Sequence, residues 1–453
     1  MTRIRAAAGI ASLLAASLLL TACAGSSDAT EETDSDPVVG GDLTVGITDI
    51  PPCIDAAITP YNNFPGRAVL DNLFDLSDDG QIEPWLATGY EISDDGLTYT
   101  LTLRDDVTFS NGEPFDAEEV KANFDNWIEF REATGQGVAA AYISGYSGST
   151  VIDDDTIAIS FDQPKAGFLE ALTEKALGIA WSGSLSLDYD TRCADGVIGT
   201  GPFVIGENVD NDHVTIVRRD GYAWASPEAE NQGETYLDSV TFVEIPESGV
   251  LTESLLSGEV DASLSVNSSD IDTILGEGGQ IVSAVSAGVP NTLYPNLSRA
   301  PFDDLAVRQA FQIGIDREEI QETIYNDYSP AATSIVSDSV PGHVDLSAEL
   351  AYDPDTATSI LEDDGWVLGD DGIYEKDGER LEATISFTSE NDRALWQLVQ
   401  AQLLEIGFDL ELSQVTSAES TALQSSGDWD LLSGNFTRAD PDVLLNTFHP
   451  DYV

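Results

Sequence analysis

Apolar and polar residues alternate at four places along the chain, and a period of two marks a strand with one buried face. Leu43, Val45 and Ile47 alternate in DLTVGIT, and Tyr99, Leu101 and Leu103 in LTYTLTL. Ile157, Ile159 and Phe161 do so in TIAISF, and Phe408, Leu410 and Leu412 in FDLELSQV. Elsewhere the period lengthens to that of a helix. Val120, Phe124, Trp127 and Ile128 form one apolar face, with Asp116 and Glu119 ahead of it as a capping pair. Asp353 followed by Pro354 opens a second helix, which Gly365 closes. A third runs from about Asn391 through Leu395, Leu398, Val399 and Ile406 to Gly407. Asp-Asp-Gly triplets starting at Asp78, Asp94, Asp363 and Asp370 read as turns, and none completes the spaced acidic loop of an EF-hand. Strands and helices interleave and no internal repeat is evident, so the predicted class is α/β.

The start of the chain follows a different pattern. Arg3 and Arg5 precede an apolar run from Ile10 to Leu20 that is too short to span a bilayer comfortably. Leu20-Thr21-Ala22-Cys23 then resembles the lipobox of bacterial lipoproteins. That resemblance implies that residues 1–22 are a signal peptide and that the Cys23 thiol accepts a diacylglycerol; the alternative is an ordinary secretory signal with a chance cysteine. Residues 23–40 are small, polar and acidic, with almost nothing to bury, and are expected to form a flexible tether. Lipid and tether would place a folded body outside the membrane, held by its anchor only.

Composition narrows the choices. A chain of 453 residues with 42% hydrophobic residues is too long for one small core and predicts two or more lobes. Eighteen basic against 82 acidic residues leave a net charge of −64, which repels nucleic acid and anionic membrane surfaces. Such acidity suits a solvated surface or the attraction of cationic ligands to a cleft. Of three cysteines, Cys53 and Cys193 remain once Cys23 is assigned to lipid. An even pair in an oxidising compartment predicts a disulfide.

Organised chemistry is missing from the sequence. No G-x-S-x-G elbow occurs, since Gly145-Tyr146-Ser147-Gly148-Ser149 fails at its last position. His213, His343 and His449 have no metal-ligand spacing, and there is neither a P-loop nor a G-x-G-x-x-G. Paired carboxylates are uninformative in so acidic a chain. The expectation is a protein without catalytic residues, cofactor or metal.

Several marks follow one another in order. Residues 81–125 hold Pro84-Trp85-Leu86-Ala87, a strand pair, and Gly112, Pro114, Phe115, Ala117 and Val120 in the spacing G-x-P-F-x-A-x-x-V. Then come Gly199-Thr200-Gly201-Pro202-Phe203, Tyr236-Leu237-Asp238 and Ser257-Gly258-Glu259-Val260-Asp261. Pro301-Phe302-Asp303-Asp304-Leu305-Ala306-Val307-Arg308-Gln309-Ala310, Ile315-Asp316-Arg317 and Tyr352-Asp353-Pro354 complete the series. Together these resemble family 5 of the bacterial extracytoplasmic solute-binding proteins, which serve ABC importers of peptides and nickel. The resemblance covers nearly all of residues 42–453.

It implies a two-lobed periplasmic-binding-protein fold of type II with an extra subdomain. Residues 41–65 and 195–290 would form lobe I, residues 66–194 the extra subdomain, and residues 291–453 lobe II. Lobe II is expected to be incomplete, because family members usually continue for several tens of residues. The implied function is capture of a small solute, a peptide first, in a cleft between the lobes, and delivery by a monomer to an ABC permease and ATPase. A nickel-chelate or sugar binder, or an adhesin or chaperone on the same fold, is the alternative. Asn435-Phe436-Thr437-Arg438-Ala439-Asp440-Pro441 resembles the family's pocket loop and implies Asn435, Phe436, Arg438 and Asp440 as ligand contacts. Arg438 stands near the place of a usual aspartate, so an anionic group would suit the loop as well as an ammonium. Asp49, Tyr142, Tyr294 and Asn296 fall at further pocket positions. Gly201-Pro202 is expected to make a tight bend, and Arg308 to brace nearby carboxylates or carbonyls.

Overall fold

The alternating stretch after residue 42 forms β1 (Asp42–Ile47), with Val45 and Ile47 buried. The structure, a computed structural model, describes residues 37–448 apart from 61, 78–79, 136, 326–327, 341 and 438–442. From β1 the chain enters an antiparallel sheet of β2 (Ala87–Ile92), β3 (Thr98–Leu103), β4 (Tyr146–Asp153) and β5 (Thr156–Phe161). Their spatial order is β2-β3-β5-β4, and α1 (Ala117–Thr134) packs on β4 and β5. The chain returns through α2 (Tyr189–Asp195) to β6 (Phe203–Val209), β7 (His213–Arg218), β8 (Ser239–Glu244), α3 (Ser248–Ser257) and β9 (Ala262–Ser263). With β1 these make a sheet of order β9-β1-β8-β7-β6, in which β8 and β9 run parallel to β1.

A second mixed sheet follows. It begins at β10 (Gly288–Pro295) and passes α4 (Leu305–Ile313) and α5 (Pro354–Asp363). It continues through β11 (Glu382–Phe387), α6 (Arg393–Glu405), β12 (Asp409–Gln414), α7 (Ser417–Ser426) and β13 (Leu431–Thr437). The order is β10-β13-β11-β12, with β12 and β13 parallel to β11 and β10 antiparallel to β13.

Three hydrophobic cores hold these layers. Leu101, Phe124, Ile157 and Phe168 are wholly buried under the antiparallel sheet. Val45, Ile216 and Phe242 pack in the β1 sheet. Phe302, Leu361, Ile385, Leu403 and Phe408 fill the second mixed sheet. Each such side chain contributes about 1.5–3 kcal/mol by leaving water.

Local signals behave unevenly. Asp353 accepts from the Thr356 N–H (2.9 Å) and Gly365 has φ +95°, so α5 starts and stops where its cap and glycine require. At α1, Asp116 accepts from the Glu119 N–H (3.0 Å), but Glu119 does not reach back. Its carboxylate accepts instead from the Ser182 N–H (2.7 Å) and hydroxyl (2.8 Å). Gly199 and Gly201 are needed for close approach. A Cβ on Gly199 would lie 2.0 Å from the Val69 carbonyl oxygen, and one on Gly201 2.5 Å from the Val69 carbonyl carbon. Arg308 donates to the Phe302 carbonyl (2.6 Å), the bracing role its place in a helix suggests.

Two buried polar networks tie the antiparallel sheet to the β1 sheet. Asp71 accepts from Tyr222 Oη and Trp224 Nε1, both at 3.2 Å, and burial pushes its carboxyl up to about 6 against the opposing pull of Arg67. In the other, Cys53 and Cys193 form a disulfide with Cα atoms 3.9 Å apart. Beside it, Arg192 of α2 donates from Nε to Asp55 Oδ2 (3.0 Å), with a second guanidinium bond to the same oxygen, and from Nη1 to Asn126 of α1 (3.0 Å). Both fasten the segment that leaves β1.

Candidate functional site

In an open α/β sheet, ligands bind outside the carboxyl ends of parallel strands where successive connections depart in opposite directions. The second mixed sheet has such a point at β11. The chain moves through α6 to β12 on one side, then through α7 to β13 on the other. A cavity of about 250 Å³ opens there, lined by Thr388 after β11, Asp392 before α6, Ser420 and Gln424 of α7, Asn435 of β13 and Asn291 of β10.

The local structure explains why these side chains converge. The register of β10 shifts between Val289 and Thr292, an irregularity of the kind that re-aims side chains beside binding sites, and Asn291 lies within it. A capping box between Thr416 and Glu419 fixes the start of α7, from which Ser420 and Gln424 project. The lining offers amides that both donate and accept, hydroxyls that do either, and one carboxyl. Burial raises the Asp392 carboxyl above the usual aspartate range. Burial and then the neighbouring Asp392 charge raise the Tyr325 phenol, against a hydrogen bond to Asn291.

A larger cavity of about 680 Å³ lies between α7 and the strand bodies, at Thr384, Ser413, Leu423 and Trp429. Its one cation, Arg299, is already paired with Asp428 (2.8 Å) and Asp430 (3.2 Å). We therefore take the smaller cavity, at the strand ends, as the candidate site.

The first mixed sheet repeats the arrangement around β1. The chain reaches β8 on one side and crosses through α3 to β9 on the other. Past the strand ends, Thr48 Oγ1 and Ser265 Oγ lie 3.5 Å apart, the Ile50 N–H donates to Glu244 Oε2 (3.3 Å), and Asp49 is exposed.

The residues singled out from sequence therefore separate. Asn435 lines the cavity, and Asp49 stands at the corresponding end of β1. Phe436 lies on β13, where its backbone pairs with Val289. Cys23, Arg438 and Asp440 lie outside the described residues. Tyr142 is 6% exposed and belongs to the core of the antiparallel sheet. The Asn296 amide donates to the Gly427 (3.2 Å) and Trp429 (2.9 Å) carbonyls and accepts from the Ser298 N–H and hydroxyl, which uses its hydrogen-bonding capacity on the chain itself. Tyr294 packs beside Val289, Val336, Val340 and Val443, and burial raises its phenol. Asn291, Thr388, Asp392 and Gln424 were not anticipated. The available signal was positional, since Thr388 to Asp392 join a strand to a helix. Among the described residues no group of His, Cys, Asp or Glu could hold a metal ion, and no helix is long and apolar enough to cross a membrane.

The family model for the bacterial extracellular solute-binding proteins, family 5, matches residues 81–451. The chain belongs to this family. It is 28% identical over 413 residues to the nickel-binding periplasmic protein of Escherichia coli (strain K12), covering 87% of this chain and 76% of that protein. It is 26% identical over 358 residues to the glutathione-binding protein GsiB of Salmonella paratyphi A, covering 79% of this chain and 65% of that relative. Among solved structures, NikA from Brucella suis in complex with Fe(III)-EDTA matches with a TM-score of 0.78 at 24% identity, over 90% of this chain and 82% of its own. The fold is the two-lobed one of family 5; for reference, the part around β1 is named lobe I and the part around β11 lobe II.

Proposed function

We propose that this family 5 protein captures a short peptide between its lobes and delivers it, chemically unchanged, to an ABC permease and its ATPase. The observation that carries this reading is the cavity at the β11 switch point, with its amides, hydroxyls and single carboxyl. Asn291, Gln424 and Asn435 can each meet a peptide N–H or C=O, and Asp49 offers a polar wall on lobe I. The resemblance of the 435–441 loop adds Phe436, Arg438 and Asp440 as further contacts. A glutathione-binding relative supports a peptide, and a nickel-binding relative supports a metal chelate as the second reading.

Asn435→Ala tests the site. Truncation removes hydrogen bonds from a ligand group that stays buried on closure, at about 1–3 kcal/mol. Calorimetry with di- to tetrapeptides is expected to show binding weakened by roughly tenfold or more. Unchanged affinity in a folded variant would place the ligand elsewhere.

The same reading has the protein held at the outer face of the membrane by a lipid on Cys23. Cys23→Ala is expected to leave the protein unprocessed or to send it into the medium. Membrane retention of a variant with a cleaved signal would refute the anchor.

A further inference from the structure

We infer that the larger lobe II cavity, between α7 and the sheet beneath it, is a second binding site, separate from the strand ends, and that its ligand is a neutral saccharide.

A helix that connects two parallel strands ordinarily packs an apolar stripe on the sheet it crosses. The two faces of this sheet differ in that respect. On one, α6 buries Leu395, Trp396, Val399 and Leu403 in a core with Ala383, Ile385 and Phe387 of β11. On the other, β11 presents Thr384 and Ser386, and β12 presents Ser413. None of the described residues of α7 is buried, and only Ser420 and Leu423 among them are half-buried. The helix therefore stands off the sheet. About 680 Å³ remains between them, within the roughly 300–1,000 Å³ of small-molecule sites.

The polar groups around this space are held in place by the chain. Asn296 donates to the Gly427 (3.2 Å) and Trp429 (2.9 Å) carbonyls, which fixes the segment that carries Asp428, Trp429 and Asp430. Arg299 bridges Asp428 and Asp430, and Asp430 Oδ2 also accepts from the Thr384 N–H (3.0 Å). Glu419 uses Oε2 in the capping box with Thr416, whose N–H and hydroxyl hold its carboxyl below the usual glutamate range.

This lining distinguishes between ligand classes. Three carboxylates against one guanidinium disfavour an anion. Arg299 already answers two of the three, which leaves little for a cation to offset. A saccharide suits both the polar and the apolar lining. Its hydroxyls donate to the carboxylates and exchange bonds with the hydroxyls of both strands and of Ser426, while its C–H face covers the Trp429 indole.

Calorimetry of the full chain with cellobiose, maltose and trehalose, each titrated separately, is the test. At least one is expected to bind. Trp429→Ala is expected to weaken that binding by roughly tenfold or more, as truncation of a central aromatic does. Ala422→Trp, on the part of α7 that lines the cavity, fills the space and is expected to abolish binding. Thermal unfolding establishes which variants are folded, and either folded variant decides the matter. No binding of any of the three sugars by folded wild type overturns the site, as does undiminished binding in a folded Trp429→Ala or Ala422→Trp. Binding lost in Asn435→Ala and kept in Trp429→Ala would place the sugar at the strand ends and overturn it equally. Peptide capture at the strand ends does not depend on any of these results.

Discussion

Replacing both cysteines of the Cys53–Cys193 bridge by alanine is expected to lower the unfolding free energy by about 4–5 kcal/mol. The bridge closes a loop of sequence separation 140, so the unfolded chain loses considerable freedom when it is present. Within the folded state it lies in its own apolar pocket with Ile58, Phe130 and Tyr189, and Cys53 is fully buried. The Ile54 N–H donates to the Cys193 carbonyl (3.1 Å), so the backbone on either side of the bridge is already in register. A urea titration of the oxidised protein and the double variant measures the change. A double variant within about 1 kcal/mol of wild type would show that the bridge constrains little.

Arg192→Ala is expected to cost about 3–5 kcal/mol, because it strands a buried charge. Both side chains of the Arg192–Asp55 pair are 1% exposed. Asp55 keeps one bond, from the Ala57 N–H to Oδ1 (2.9 Å), and Oδ2 is left with no cation. Asn126 also loses its donor. Asp55→Ala in the same background should cost less than the sum of the two single changes, since the second replacement removes the stranded partner. The expected signature is a lower urea midpoint with an unchanged slope. The disulfide and the ion pair grip one segment, so their losses are not expected to add.

Much of the fold was legible in the sequence wherever the signal is local. The alternation in LTYTLTL and TIAISF corresponds to Tyr99, Leu101, Leu103, Ile157, Ile159 and Phe161, all buried. Gly407, with φ +72°, ends the segment that carries α6 as the apolar spacing anticipated. Where a local rule met a distant partner, the partner decided. Glu119 has the spacing of a capping box, yet its carboxylate goes to Ser182. Thr416 and Glu419 have the same spacing and no rival, and they form the box.

The site was less legible because strand order assembles it. Asn291, Thr388 and Asn435 come from three separate stretches and meet only because β13 lies between β10 and β11. No periodicity reports that order. The strand that sets the switch point, β11, carries the helpful alternation of Ala383, Ile385 and Phe387, all buried, and Thr388 is the next residue. Tyr142 and Asn296 were ambiguous in the sequence for a related reason. An aromatic ring and an amide at pocket-like positions serve the core and the chain's own carbonyls, and neither residue type by itself distinguishes the two uses.

The protein is proposed to capture a small solute without converting it. Native mass spectrometry of the wild-type chain with a mixture of di- to tetrapeptides tests it most directly, with the peptides recovered and weighed afterwards. One peptide per chain, recovered intact, is expected. A folded chain that retains no peptide, or one that returns shortened peptides at a steady rate, would contradict it.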